Sequence, residues 1–93
     1  MTPQKIADVA SFYAKMLREL GVAPRRIDPE CSFSDQNKSA VLAHAAYLCE
    51  NIAHFVQDEG KLGKANRHLA SAQMCLSFAG LYTLNELRFH NAE

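Results

Sequence analysis

No apolar run in this chain approaches the ~20 residues that a membrane span needs. Neither sign of charge is in excess, since ten Lys and Arg balance ten Asp and Glu. A balanced chain has no overall field to draw in nucleic acid or an anionic membrane. The start, Met1-Thr2-Pro3-Gln4-Lys5, lacks the basic-then-apolar order of a secretory signal, so the expected setting is the cytoplasm. Cysteine is scarce and odd in number: Cys31, Cys49 and Cys75. No two of them stand two to four residues apart, the spacing that announces a zinc site. Cys49 and Cys75 sit in apolar stretches and read as reduced core thiols, whereas Cys31 falls in a predicted loop. Internal repeats and low-complexity segments are also missing.

What is present is helical periodicity. The chain has 93 residues, 48% of them hydrophobic, which fits one globular all-α domain. Thr2 and Pro3 suit a helix start, and Ile6, Val9, Tyr13, Met16, Leu17 and Leu20 recur at three- and four-residue spacing. They predict a helix over 3–20 that stops at Gly21. Pro24 and Pro29 forbid regular helix in a linker over 21–33. Ile27 and Phe33 are expected to pin that linker to the core, with a short turn at Asp28–Cys31. A second helix is predicted over 35–59, ended by Gly60. Its apolar residues, from Val41 to Val56, cover about half of the circumference. That width predicts two packing neighbours and favours a homodimer. A four-residue connection then allows only an antiparallel hairpin into a third helix over 62–79. Its core face is Leu62, Ala65, Leu69, Ala72, Leu76 and Ala79, with His68 and Cys75 beside it. Gly80 ends it. Thr83 and Glu86 have capping-box spacing, and Tyr82 and Leu87 have that of a hydrophobic staple, so a short fourth helix is predicted over 84–90. The expected architecture is a compact antiparallel three-helix bundle closed by this fourth helix.

Catalytic and metal chemistry find little support. His44 and His54 lie about 80° apart around one helix, and Cys49 and His54 about 140° apart. Cys75 and His68 share a face but are about 10 Å apart along the axis. Neither cysteine makes a nucleophile–base unit. No metal, cofactor or catalytic residue is expected. DNA binding would rest on Lys61, Lys64, Arg67 and His68. Against it, the short fourth helix carries Glu86 at the end a recognition helix presents to bases.

Gly60, the run Lys64-Ala65-Asn66-Arg67-His68-Leu69, Gln73, the run Gly80 to Arg88, and His90-Asn91 together resemble a family of small helical proteins of tailed bacteriophages and prophages. The resemblance covers roughly residues 44–91. It departs from the family pattern at His68, where tryptophan is expected, and at Ala70 and Met74, where glycines are expected. The family has no assigned activity, so the resemblance implies a phage origin rather than a mechanism.

Three features are left for function. Asn66, Ala70, Gln73 and Ser77 form a narrow stripe of small and amide side chains, expected to pack against the first helix or to meet a partner. Met74 and Phe78, near Arg67 and Ser71, make an apolar pair expected to lie under the fourth helix through Leu84 and Leu87. Left uncovered, the pair has the Met, aromatic and Arg character of an interface. Arg88, His90 and Asn91 have no evident structural duty beyond the helix dipole. The candidate binding residues are therefore Lys64, Asn66, Arg67, Gln73, Met74, Phe78, Arg88 and His90. The leading expectation is a non-enzymatic phage-type protein that binds and modulates a bacterial host protein, such as a defence or regulatory factor. The alternatives are a nucleotide-sequestering binder, through Lys64, Asn66, Arg67, Gln73 and Arg88, and a small DNA-binding regulator.

Overall fold

A computed structural model describes residues 1–93. Four α-helices follow one another without a strand: α1 (Pro3–Glu19), α2 (Lys38–Phe55), α3 (Leu62–Phe78) and α4 (Leu84–Asn91). Single 3-10 turns at Phe33–Asp35 and Glu59–Lys61 precede α2 and α3.

Each helix end has a local cause. The Thr2 hydroxyl accepts from the Lys5 N–H at 3.1 Å, and Pro3 begins α1, where a missing N–H costs nothing. Gly21 and Gly80 take left-handed φ values of 80° and 84°. After each, the chain bonds back into the helix it leaves, from the Val22 N–H to the Leu17 carbonyl and from the Leu81 N–H to the Leu76 carbonyl. Val22 and Leu81 then pack on the core. These are the bonds and apolar contact of a Schellman stop. The predicted capping box is complete: Thr83 N–H donates to Glu86 Oε1, and Glu86 N–H to Thr83 Oγ1.

The predicted second helix is too long at both ends. Asn37 caps the real start, accepting from the Ala40 N–H at 2.8 Å. The Ser32 hydroxyl bonds both the Ser34 hydroxyl and the Asp35 carboxylate around the 3-10 turn before it. At the far end Asp58 is extended and its carboxylate accepts from the Gly60 N–H. The helix therefore stops at Phe55, and Gly60 belongs to the turn that follows.

Helix α2 is central, packing against both α1 and α3, which touch each other less. The core joins Ile6, Tyr13 and Leu17 of α1, Val41, Cys49 and Ile52 of α2, and Ala65, Leu69 and Leu76 of α3, with Leu87 from α4. The molecule is the antiparallel three-helix bundle with a short fourth helix that the periodicity predicts. The broad apolar arc of α2 is turned to two neighbours within the chain, as its width predicts. No helix is long and apolar enough to cross a membrane.

The linker is strapped along α2. Arg25 N–H donates to the Ala43 carbonyl, and Ile27 N–H donates to His44 Nδ1 at 3.0 Å. Ile27 is buried as expected. Phe33 is not a core pin: it is 48% exposed and meets the His44 ring edge-on at 5.5 Å. Asp28 builds the expected turn, its carboxylate accepting from Glu30 N–H and its carbonyl from Cys31 N–H.

Candidate functional site: the outer face of the third helix

The two flanks of α3 have different fates. On the flank toward α1 and α4, Gln73 is the one amide or charged side chain that the fold buries. Its Nε2 donates to Asn91 Oδ1 at 2.7 Å and to the Tyr13 hydroxyl at 3.1 Å. Asn91 Nδ2 donates back to Gln73 Oε1 at 3.1 Å. Because Tyr13 already accepts from Gln73, its own hydrogen goes to His90 Nδ1, 2.7 Å away. With its hydrogen on Nε2, His90 offers Nδ1 as the acceptor for that hydroxyl. Burial pushes the Tyr13 hydroxyl up to about 12, partly opposed by the Gln73 hydrogen bond, so it stays a donor. The Tyr82 ring packs edge-on against His90 at 4.7 Å. No buried side-chain nitrogen or oxygen is left without a partner.

This network agrees with the expectation that the Gln73 side packs against the first helix, and it engages Gln73 and His90 in internal hydrogen bonds rather than leaving them as free binding groups. Their hydrogen bonds hold α4 onto α1 and α3, which leaves Gln73 unable to contact a ligand. It also gives Asn91 a structural duty. Arg88 lies apart, on α4, bonded to Asn85. Asn66 is exposed and bonds the Leu62 carbonyl of its own helix. The stripe expected from Asn66 to Ser77 is therefore not one facet.

On the other flank, α4 does not cover Met74 and Phe78. They are 53% and 60% exposed, and Leu84, expected to lie over them, is itself 65% exposed. The cause is the docking just described. Leu87 and the network commit α4 to the α1 side of α3, leaving the opposite side open. Met74 and Phe78 there form a groove of about 670 Å³ with Phe33, Val41, Ala70 and Cys75. Sequence reasoning did not place Phe33 or Val41 here. The one available signal was an aromatic side chain in a serine-rich linker segment, Ser32-Phe33-Ser34.

At the N-terminal end of α3 the cations are arranged around Phe55. The Lys64 ammonium lies 4.8 Å from the ring centroid and that of Lys61 lies at 6.0 Å. The His68 ring meets Phe55 edge-on at 4.9 Å, and its Nδ1 is 3.0 Å from the Lys64 carbonyl. Burial lowers the pKa of His68, opposed by that carbonyl and reinforced by Lys64 and Arg67. Burial likewise lowers His44, with Arg26 adding to the effect. Cys49 and Cys75 are buried free thiols that burial pushes up to about 12 and about 11, values at which a thiolate is not formed near neutrality. No group of three His, Cys, Asp or Glu side chains comes together as a metal site would require.

Compared with protein-family models, with curated proteins and with solved structures, the chain matches none of them.

Proposed function

We propose that this chain is a non-enzymatic interaction protein, and that it docks another protein on the outer face of α3. The observation that carries this reading is the uncovered pair Met74 and Phe78 in a groove continuous with Phe33. Phe12, Leu20, Leu84 and Phe89 are exposed as well, but Met74 and Phe78 share one groove with a third exposed large residue, Phe33, and exposed apolar patches edged by polar side chains mark docking surfaces. Met, Phe and Arg are also the residue types enriched at such sites. The resemblance of residues 44–91 to small phage proteins supports a more specific form of the reading, in which the docked protein is a bacterial host factor that the chain modulates.

The nucleotide-binding alternative is weaker. Of the polar contacts it needs, Gln73 is spent internally, Lys64 lies over Phe55, and Arg88 stands on another helix. The DNA-binding alternative rests on the same few cations and still meets Glu86 at the start of α4.

Native mass spectrometry of the tagged chain, purified gently from a bacterial host, tests the proposal against a Phe78→Asp variant. A stoichiometric polypeptide held by the parent chain and lost from the variant is the expected result. A parent chain that carries no polypeptide overturns the reading, as does equal retention by both forms.

A further inference from the structure

The exposed side of α3 has a regular seam of its own. Lys64, Arg67, Ser71, Met74 and Phe78 follow one another at spacings of three, four, three and four, and all five are exposed. On the opposite side, Ala65, Leu69, Ala72 and Leu76 are spaced four, three and four, and all are buried. Helix α3 therefore presents two seams of the kind that accept a packed helix, and only the inner one is filled. Along the outer seam, Arg67, Ala70, Ser71 and Met74 outline one four-residue hole. Ser71, Met74, Cys75 and Phe78 outline the next. Small residues floor the first hole and Phe78 walls the second, which is the geometry that receives an apolar knob from a facing helix.

The charge along this seam selects the occupant. Between Lys61 and Gly80 the chain has Lys61, Lys64 and Arg67 and no carboxylate. The Arg67 guanidinium reaches back along the helix over Gly63, where an added Cβ would lie 3.4 Å from its Nη1. It thus rests on the helix surface beside the seam. The seam is cationic at its N-terminal half and apolar at its C-terminal half, over about 21 Å from Lys64 to Phe78. A second copy fits it poorly. Two such seams in parallel set cation against cation, and in antiparallel register each Arg67 faces the apolar half of the other α3, which carries no carboxylate of its own.

We infer that the outer seam of α3 takes an acidic amphipathic helix from a partner protein, with apolar knobs over Ser71, Met74 and Phe78 and carboxylates at Arg67 and Lys64. The inference rests on the docking reading above and adds the chemistry of the partner. Arg67 is the specificity-determining residue, because its fork can meet a carboxylate in a bidentate pair. Lys64 contributes less, since its ammonium already lies over Phe55.

Two synthetic helical peptides test it on the full chain. Each is about three heptads long with leucine at the seam positions. One carries glutamate on its flanks and the other lysine. At low salt the acidic peptide should bind more tightly by about fivefold, and the margin should shrink in high salt as the exposed pairs are screened. Arg67→Glu should abolish or reverse the preference, and Phe78→Asp should weaken both peptides. Arg67 and Phe78 are exposed, so these variants keep the fold, which circular dichroism verifies. Equal binding of both peptides, lost together in Phe78→Asp, overturns the charge inference and leaves the docking reading intact. Binding of neither peptide, with Phe78-dependent capture of a polypeptide retained, does the same. Acidic-peptide binding that ignores Phe78 overturns both. Concentration-dependent self-association of the chain that Phe78→Asp removes names a second copy as the occupant and overturns the inference.

Discussion

The two flanks of α3 solve the same problem in opposite ways. Toward α1 and α4, a buried amide is tied by three hydrogen bonds to Tyr13 and Asn91, and the surface is closed. Toward the linker, two large apolar side chains are left in solvent beside small ones, and the surface is open. A polar group in a closed seam must be satisfied, and its bonds then specify which element docks there. An apolar side chain in an open seam costs the fold little and offers free energy to whatever covers it. The closed flank decides the architecture, and the open flank is free for function.

The largest expected effect breaks the closed flank. Gln73→Leu removes both partners of the Asn91 amide and the donor to Tyr13. Each buried polar group left unpaired costs on the order of 1–3 kcal/mol, so the variant should lose about 2–4 kcal/mol in urea unfolding. Amide exchange should quicken first in α4, because its docking depends on these bonds. A loss below about 0.5 kcal/mol, the scale of an ordinary surface change, would remove the network as the cause of the asymmetry.

That network also explains why the sequence could be read only in part. Helix ends with local causes were legible: Thr2 and Pro3 at the start of α1, Gly21 and Gly80 as stops, and Thr83 with Glu86 at α4. The ends of α2 misled because Gly60 looked like its stop, while Asp58 captures the Gly60 N–H into a separate turn and Asn37 captures the Ala40 N–H inside the predicted start. The open flank was the least legible feature. Whether Met74 and Phe78 are covered depends on the side of α3 that α4 takes. That choice is made by bonds spanning 60 and 18 residues of sequence, beyond the reach of any local pattern. Tyr13 was a warning in plain view, since a buried tyrosine hydroxyl usually has a partner. Gln73, His90 and Asn91 are joined through Tyr13 and hold the fold together.

A smaller effect concerns the linker that carries Phe33, one wall of the open groove. His44 accepts the Ile27 N–H on Nδ1 and can do so only while that nitrogen is unprotonated. Burial holds the pKa of His44, and of His68, below the ordinary value of 6.5. The unfolded chain therefore takes up protons near pH 6.5 while the folded chain resists them. The stabilisation is complete above about pH 6.5 and is lost as the pH falls toward the lowered folded values. The melting temperature should decline with acid in this window. His44→Gln, which keeps an acceptor without a titrating group, should flatten part of the decline. An identical acid limb in the variant would mean that His44 does not couple the linker to pH.

The smallest expected change in stability sharpens the comparison most. Phe78→Asp removes an aromatic ring that is more than half in solvent and places a carboxylate about three turns from Arg67, about 16 Å along the helix axis. The lost partial burial is small, and at that distance the attraction to Arg67 is screened. The net change should stay within about 0.5 kcal/mol, as for surface positions without special contacts. The carboxylate also lies in the last turn of α3, where the helix dipole disfavours it by a few tenths of a kcal/mol, which keeps the sum near zero or slightly destabilising. Urea unfolding of the parent and the variant measures this directly. A loss comparable to that of Gln73→Leu would show that Phe78 supports the fold and that the open flank is not free. A near-zero change, together with loss of the bound polypeptide, would separate binding from folding at a single side chain.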